Sequence, residues 1–176
     1  MSRLTVSPER PGRSAAKAGA DKKAMGRKIL IMGLPGAGKT TLARALAPLL
    51  QAVHFNADEV RSNLNRELGF SLADRIEHAR RMGWLCDRVV TAGHAAIADF
   101  VCPTDEARAA FEAGGAAFII WVDRIKAGRF EDTNRLFVAP ERFDVQVTAR
   151  GSAAMWAQRV VALMHGAEPM PLRQGA

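Results

Sequence analysis

Residues 33–40, Gly-Leu-Pro-Gly-Ala-Gly-Lys-Thr, decide the fold of this chain. Their spacing, G-x-x-x-x-G-K-[ST], is that of the P-loop, whose glycines let the backbone curl so that several N–H groups point at phosphate oxygens. Residues 27–32 before it are predicted to form a buried strand, and residues 41–46 after it are predicted to begin a helix. Strand, loop and helix therefore follow in the order that a phosphate-binding loop requires.

The loop predicts a site for ATP with Mg²⁺. We expect Lys39 to reach the β- and γ-phosphates, which makes it a candidate catalytic residue, and the Thr40 hydroxyl to complete the Mg²⁺ shell. A glycine-rich turn without phosphate affinity is the alternative, and the ordered context disfavours it. The predicted nucleotide-binding residues are Gly33, Leu34, Pro35, Gly36, Ala37, Gly38, Lys39, Thr40 and Thr41.

Length and composition predict one globular domain, because 176 residues with 48% hydrophobic content can bury a sizeable core. No apolar run approaches the roughly 20 residues that span a bilayer, and the N-terminus lacks the apolar segment of a secretory signal. Two cysteines are too few to indicate a disulfide framework. We therefore expect a cytoplasmic protein without a membrane partner.

The net charge of +7 is concentrated at the N-terminus. Residues 1–28 carry eight basic side chains against two acidic ones, so this segment holds +6 and the rest of the chain holds +1. Because it has few large apolar residues, residues 1–26 are expected to form a disordered basic arm rather than a binding arm. The P-loop domain is then predicted over residues 27–166, followed by a tail at 167–176. No nucleic-acid partner is expected.

Strands and helices alternate along the rest of the chain. Further strands are predicted at residues 52–55, 94–98, 116–122 and 143–147, and residues 123–141 are expected to be irregular. Such alternation behind a P-loop predicts an α/β fold, a three-layer P-loop NTPase fold whose mostly parallel sheet is covered by helices on both faces.

Helix boundaries follow from local signals. Pro48 is expected to bend or end the first helix. Ser71 is predicted to cap a long helix, with Asp74 three residues later. That helix is expected to bury the stripe Leu72, Ile76, Ala79, Gly83, Cys86 and Val90, and the last helix is expected at residues 153–164.

Residues 58–81 carry a more specific pattern. Residues 58–71 read DEVRSNLNRELGFS, and the chain continues with Asp74-Arg75-Ile76-Glu77 and then Arg80-Arg81. This order resembles the adenylylsulfate kinase pattern D-G-D-N-x-R-x-x-L-N-x-x-L-G-F-S-x-x-D-R-x-E-N-x-R-R. Phe130 and the Ala-Pro-Glu at 139–141 extend the resemblance, which runs from about residue 29 to residue 147. Kinases of this family transfer the γ-phosphate of ATP to the ribose 3′-hydroxyl of adenylyl sulfate (APS).

The resemblance implies an acceptor site beside the P-loop. Asp58 matches the second Asp of D-G-D-N and is implied to act as the catalytic base or to orient a Mg²⁺-bound water. Arg61 and Arg75 match arginines that hold the sulfate–phosphate anhydride, for which a planar guanidinium is suited. Phe70 matches the aromatic side chain that stacks on the adenine. The implied substrate-binding residues are Asp58, Arg61, Asn65, Phe70, Arg75 and Arg80.

The chain departs from the family pattern in three places. D-G-D-N has become residues 56–59, Asn-Ala-Asp-Glu, so one carboxylate is missing. Cys102 replaces a serine, which excludes a serine-phosphate intermediate, and the lid segment C-x-x-R-D-x-K-G-L-Y is absent. We hypothesise that Asp99, at the end of the third predicted strand, supplies the missing carboxylate and holds Mg²⁺ with Thr40. A carboxylate that caps the following turn is the alternative.

The leading prediction is an ATP- and Mg²⁺-dependent kinase that phosphorylates adenylyl sulfate in sulfate activation. A kinase of the same family with another small hydroxyl acceptor is the second interpretation, because the absent lid segment leaves the acceptor undecided. A nucleotide-binding module that no longer transfers phosphate is the third. The partner is expected to be a small molecule, and a homodimer and a sulfurylase partner stay open.

Overall fold

The computed structural model describes residues 26–167, so the predicted tail from residue 168 and the predicted arm up to residue 25 lie outside the described residues. Five strands form one sheet in the order β2-β3-β1-β4-β5, and all four pairings are parallel. The predicted parallel sheet is confirmed. The strands are β1 (Lys28–Met32), β2 (Val53–Asn56), β3 (Ala96–Asp99), β4 (Phe118–Val122) and β5 (Val145–Val147).

Helices cover both faces of this sheet, as the alternation predicts. Successive residues of β1 point to opposite faces, so Ile29 and Ile31 enter one core while Leu30 and Met32 enter the other. The first and last helices pack in the former core, and the long third helix packs in the latter. The helices are α1 (Lys39–Leu50), α2 (Ala57–Asn63), α3 (Leu72–Thr91), α4 (Asp105–Glu112), α5 (Glu131–Leu136) and α6 (Ala153–Met164).

Two helix expectations are corrected: Pro48 does not end the first helix, and residues 123–141 are not irregular throughout. Helix α1 continues through Pro48 to Leu50 and ends at Gln51, whose backbone has a positive φ of 49°. The proline has no backbone N–H and so removes one hydrogen bond of the helix, but the helix continues for two residues beyond it. Helix α5 lies inside the stretch expected to be irregular, and its six residues carry no apolar stripe to announce it, since only Thr133 is buried.

Helix α3 begins as predicted, and its buried face is shifted from the predicted stripe, of which Ala79, Gly83 and Cys86 are buried. The Ser71 hydroxyl accepts a hydrogen bond from the Asp74 backbone N–H at 3.1 Å, which confirms the predicted cap. The buried residues are His78, Ala79, Met82, Gly83 and Cys86, whereas Leu72 is exposed. A side chain at Gly83 would lie 2.2 Å from the Phe111 carbonyl oxygen, so close packing against α4 sets the orientation of α3. This orientation carries His78 inward. Among residues 26–167, no helix is long and apolar enough to cross a membrane.

Candidate active site

The P-loop connects the carboxyl end of β1 to the N-terminus of α1. Gly33 has a φ of 144°, and a side chain there would lie 2.4 Å from the Val122 carbonyl oxygen, so only glycine fits between the loop and β4. Gly38 has a φ of 99° and is the N-cap of α1. The backbone N–H groups at the start of α1 therefore have no side-chain cap and are available to phosphate.

The Lys39 side chain folds back over this loop. Its ammonium donates a hydrogen bond to the Leu34 carbonyl oxygen at 2.9 Å. Burial lowers the pKa of Lys39 to about 8, while the charges of Asp99 and Asp58 act in the opposite direction. The amino group is thus a partly desolvated charge between two carboxylates and beside the phosphate loop, where it interacts strongly with an anion.

Asp99 is the last residue of β3, and its carboxylate faces the P-loop. One carboxylate oxygen accepts from the Thr40 hydroxyl at 2.5 Å, and the other lies 2.7 Å from Nε2 of His54. These bonds go to side chains around the loop, and they meet the geometric requirement of the hypothesis that Asp99 and Thr40 converge. The Asp99 side chain is 1% exposed, so its charge acts in a desolvated environment.

The contacts of Asn56 explain how this chain accommodates an asparagine at the first Asp of the D-G-D-N motif. Its side-chain oxygen accepts from the backbone N–H groups of Asp58 (3.1 Å) and Glu59 (3.2 Å), which caps α2. Its amide nitrogen donates to both oxygens of Asp99 at 3.2 Å. An aspartate at position 56 has no such donor and would place a second, half-buried carboxylate beside the buried carboxylate of Asp99. Asn56 and Asp99 are therefore complementary.

The donor set fits Mg²⁺. Within the described range 26–167, no group of three or more His, Cys, Asp and Glu side chains converges as a metal cage. Mg²⁺ does not need one, because it is usually bound by one or two protein oxygens, substrate phosphates and waters. Thr40 and Asp99 supply two such oxygens at the mouth of the phosphate loop.

A cavity of about 680 Å³ joins the phosphate loop to the predicted acceptor residues. Phe70 is 66% exposed beside it, and the guanidinium carbons of Arg61 and Arg75 lie 4.7 and 5.5 Å from its ring centre. Arg61 also donates to the carbonyl oxygens of Leu68 and Gly69, and Arg75 donates to that of Phe70. The lining residues named in the predictions are Pro35, Gly36, Lys39, Thr40, Asp58, Arg61, Phe70, Arg75 and Asp99.

Two of the implied substrate residues lie elsewhere. Asn65 is 3% exposed and bonds to His78 and Arg81 behind the cavity wall. Arg80 is at the surface, where it forms two hydrogen bonds of 2.7 Å with Glu77. Neither residue lines the cavity. Both residues lie close in sequence to residues that line the cavity, so the sequence pattern groups them with the site. Which side chains reach the cavity depends on the direction in which each one points, and the pattern does not contain that information.

Sequence reasoning missed several lining residues: His78, Arg129, Asp132 and Thr133. A signal existed for the first, because His78 stands at the Asn of the D-R-x-E-N pattern. Thr133 accepts a hydrogen bond from Arg75 at 3.2 Å, which ties α5 to the acceptor side. The contact between His54 and Asp99 was also missed. It depends on the register of strand β2 on strand β3, in which Asn56 pairs with Asp99, and the sequence does not give this register.

The parallel sheet and the phosphate loop after β1 define an α/β fold of the P-loop class, with a cavity beside the loop. The family model described as adenylylsulphate kinase matches residues 25–134. The chain belongs to the adenylylsulphate kinase family.

Individual relatives agree with this assignment. The adenylyl-sulfate kinase of Chloroflexus aurantiacus is 40% identical over 89 residues, 48% of this chain and 48% of that protein. The adenylyl-sulfate kinase of Shewanella denitrificans is 40% identical over 108 residues, 56% of this chain and 53% of that protein. The chain thus spans about half the length of the curated relatives it matches.

Solved structures extend the likeness to the fold. The Mycobacterium tuberculosis APS kinase CysC in complex with AMPPNP and APS superposes with a TM-score of 0.69 and 25% identity, covering 80% of this chain and 98% of that one. A gluconokinase from Sinorhizobium meliloti shares the fold with a TM-score of 0.59 at 13% identity, covering 79% of this chain and 91% of that one.

Proposed function

We propose that this chain is an ATP- and Mg²⁺-dependent kinase that phosphorylates the ribose 3′-hydroxyl of adenylyl sulfate. One observation carries the proposal: a single cavity holds the phosphate loop with Lys39, the Asp58 carboxylate, and the exposed Phe70 ring with two guanidinium groups near it. The adenylyl-sulfate kinase relatives and the APS-bound structure support this choice of acceptor.

The acceptor side suits a nucleotide that carries a second oxyanion. The exposed face of Phe70 offers an apolar surface on which a purine stacks. Arg61 and Arg75 each have five N–H donors, and only some of them bond to the protein, so the remaining donors can bind sulfate or phosphate oxygens. These two residues would set the distance of the ribose from the phosphate loop.

Phosphoryl transfer then proceeds directly between two bound substrates. The 3′-hydroxyl oxygen attacks the γ-phosphorus, its proton passes to Asp58, and the bond to the β–γ bridging oxygen breaks to release ADP. Lys39 stabilises the negative charge of the transferring group. Burial raises the pKa of the Cys102 thiol well above its ordinary value, so this residue stays protonated and offers no nucleophile.

Thr40 and Asp99 would hold Mg²⁺ in this proposal. The ion supplies charge neutralisation at the phosphate oxygens when it is bound. Asn56 and His54 orient the Asp99 carboxylate, and Asn56 also fixes the first turn of α2, which carries Asp58. The metal side and the acceptor side of the site are thus connected through one amide side chain.

Asp99→Asn is expected to raise the Mg²⁺ concentration for half-maximal rate by on the order of tenfold. The amide keeps the shape of the side chain and an oxygen for Thr40, so the protein is expected to fold. The measurements are the rate as a function of free Mg²⁺ and calorimetric binding of MgATP. Asp123→Asn is the matched control, because Asp123 follows strand β4 and does not line the cavity. An unchanged Mg²⁺ dependence would remove Asp99 from the metal site.

A panel of acceptors tests the proposed function. ADP release is measured with adenylyl sulfate, with AMP (which lacks the sulfate), and with gluconate and shikimate as unrelated hydroxyl compounds. We expect adenylyl sulfate to give the highest kcat/KM, with AMP far weaker because Arg61 and Arg75 lose an oxyanion.

The other interpretations predict different results in this assay. The family model ends at residue 134, and the lid segment is absent. Both facts favour testing the second interpretation, a kinase of this family with a different hydroxyl acceptor. A higher kcat/KM with another hydroxyl compound would establish that second interpretation. Binding of ATP without ADP release for any acceptor would establish a non-catalytic module.

A further inference from the structure

His78 carries an atom that the fold leaves without a partner. The residue lies in helix α3, is 2% exposed, and forms part of the cavity wall. Its Nε2 is the buried side-chain nitrogen or oxygen that finds no hydrogen-bond partner within residues 26–167. Because an unsatisfied buried polar atom costs stability, a ligand oxygen seated against this wall would supply what the protein does not.

The protonation of the ring follows from its neighbours. Arg81 has only donors, and its guanidinium donates to Oδ1 of Asn65 at 3.1 Å, so the carbonyl of Asn65 must face Arg81. The amide nitrogen of Asn65 therefore faces Nδ1 of His78, at 2.8 Å. A donor at this position requires an unprotonated Nδ1, which places the ring proton on Nε2.

Arg81 is itself fixed in place. It pairs with Glu67, and its Nε donates to Glu77 at 2.8 Å. The carboxylates of Glu67 and Glu77 thus fix Arg81, Arg81 fixes the amide of Asn65, and this amide in turn fixes the His78 ring. Each step has one arrangement that satisfies its donors and acceptors.

The ring is neutral as well as oriented. Burial, together with the charges of Arg61 and Arg81, lowers the pKa of His78 to about 4. Phe100 packs edge to face against the ring, with centroids 6.2 Å apart, so that side of the imidazole is apolar. At neutral pH the group at the cavity wall is a single N–H donor.

We propose that His78 is a specificity-determining residue that donates its Nε2 proton to an oxyanion of the acceptor substrate, and that Asn65 is the positioning residue that fixes the tautomer. The proposal rests on the proposed function for the identity of that acceptor. An asparagine, which the family pattern has here, can present a donor or an acceptor, whereas this imidazole presents a donor alone. The matching class of group is a sulfate, phosphate or carboxylate oxygen without a proton.

Two substitutions of His78 form a matched pair. His78→Asn keeps an oxygen near the position of Nδ1, so Asn65 retains its partner, but it has no donor at the ε position. His78→Gln carries an amide N–H at the ε position. We expect His78→Asn to raise the KM for the acceptor about tenfold or more, and His78→Gln to stay within about threefold of the wild type, because only one keeps the donor. The KM for ATP is expected to stay unchanged in both.

Asn65→Asp tests the tautomer without changing the shape of the side chain. A carboxylate accepts from both Arg81 and Nδ1, so the ring proton moves to Nδ1 and Nε2 becomes an acceptor. At pH 8 we expect the two ¹⁵N chemical shifts of the His78 ring to exchange their protonated and unprotonated character. The acceptor KM is expected to rise about tenfold or more, although Asn65 does not line the cavity.

Several results would overturn this inference. One is a wild-type acceptor KM in His78→Asn, and another is an Asn65→Asp protein whose ¹⁵N shifts exchange while its acceptor KM does not change. If Asn65→Asp does not fold, the two His78 variants decide alone.

The proposed function can fail separately. If the wild type phosphorylates another acceptor instead of adenylyl sulfate, the proposed function is wrong, and the same variants are assayed on that acceptor by the same criterion. If the wild type turns over no acceptor, both are wrong.

Discussion

Lys39→Ala is expected to lower kcat by at least about 10²-fold, as removal of a preorganised charge from a developing anion does. The Lys39 ammonium lies at the P-loop with one backbone partner, the Leu34 carbonyl oxygen, so its loss removes little packing. We expect the melting temperature to stay close to that of the wild type. Steady-state turnover and thermal unfolding, measured on the same preparation, check both statements.

Lys126→Ala is the control for this experiment. Lys126 is 90% exposed on the segment after β4 and does not line the cavity. Its replacement also removes one positive charge from the protein, so it tests whether net charge alone explains a loss of rate. A Lys39→Ala protein that turns over as fast as Lys126→Ala would refute the assignment of residues 33–40 as a working phosphate loop.

Asp58→Asn is expected to lower kcat by about 10²- to 10⁴-fold, the range associated with loss of general acid–base catalysis. The side chain of Asp58 lines the cavity, while its backbone N–H is held by Asn56 and is unaffected by the substitution. Binding of ATP is expected to persist, because the phosphate loop is intact. Single-turnover rates and ATP affinity separate the two effects.

Glu59→Gln provides the comparison for Asp58. Glu59 is the next residue in the first turn of α2, its backbone N–H bonds to the same Asn56 oxygen, and it does not line the cavity. Both substitutions remove one carboxylate from this turn. Equal losses of rate in the two proteins would show that Asp58 acts through helix stability or field strength and not as a base.

The local parts of the fold are predictable from sequence. The P-loop, the start of α1, the Ser71 cap and helix α6 depend on short-range signals: glycine conformation, capping chemistry and the spacing of apolar residues. The prediction failed at α5 because five polar residues and a single leucine form no apolar stripe and carry no such signal. It failed at Pro48 because a proline weakens a helix by one hydrogen bond without necessarily ending it at that residue.

The site is less predictable because its key pairs join distant parts of the chain. Thr40 and Asp99 meet only because β3 lies beside β1, and His54 reaches Asp99 only through the register of β2 on β3. Asp99 could be suspected from its place at a strand end, but the complementary role of Asn56 needs the distances to both carboxylate oxygens. Asn65 matched a substrate position by order, whereas the structure buries it outside the cavity lining, in contact with His78.

Direct identification of the product tests the central claim most directly. The full chain is incubated with ATP, Mg²⁺ and adenylyl sulfate, and the products are separated and examined by ³¹P NMR and mass spectrometry. We predict ADP together with an equal amount of adenylyl sulfate that carries a phosphate monoester on its ribose 3′-oxygen. ATP consumption without that monoester, or a phosphate on any other atom of the acceptor, would contradict the proposed function.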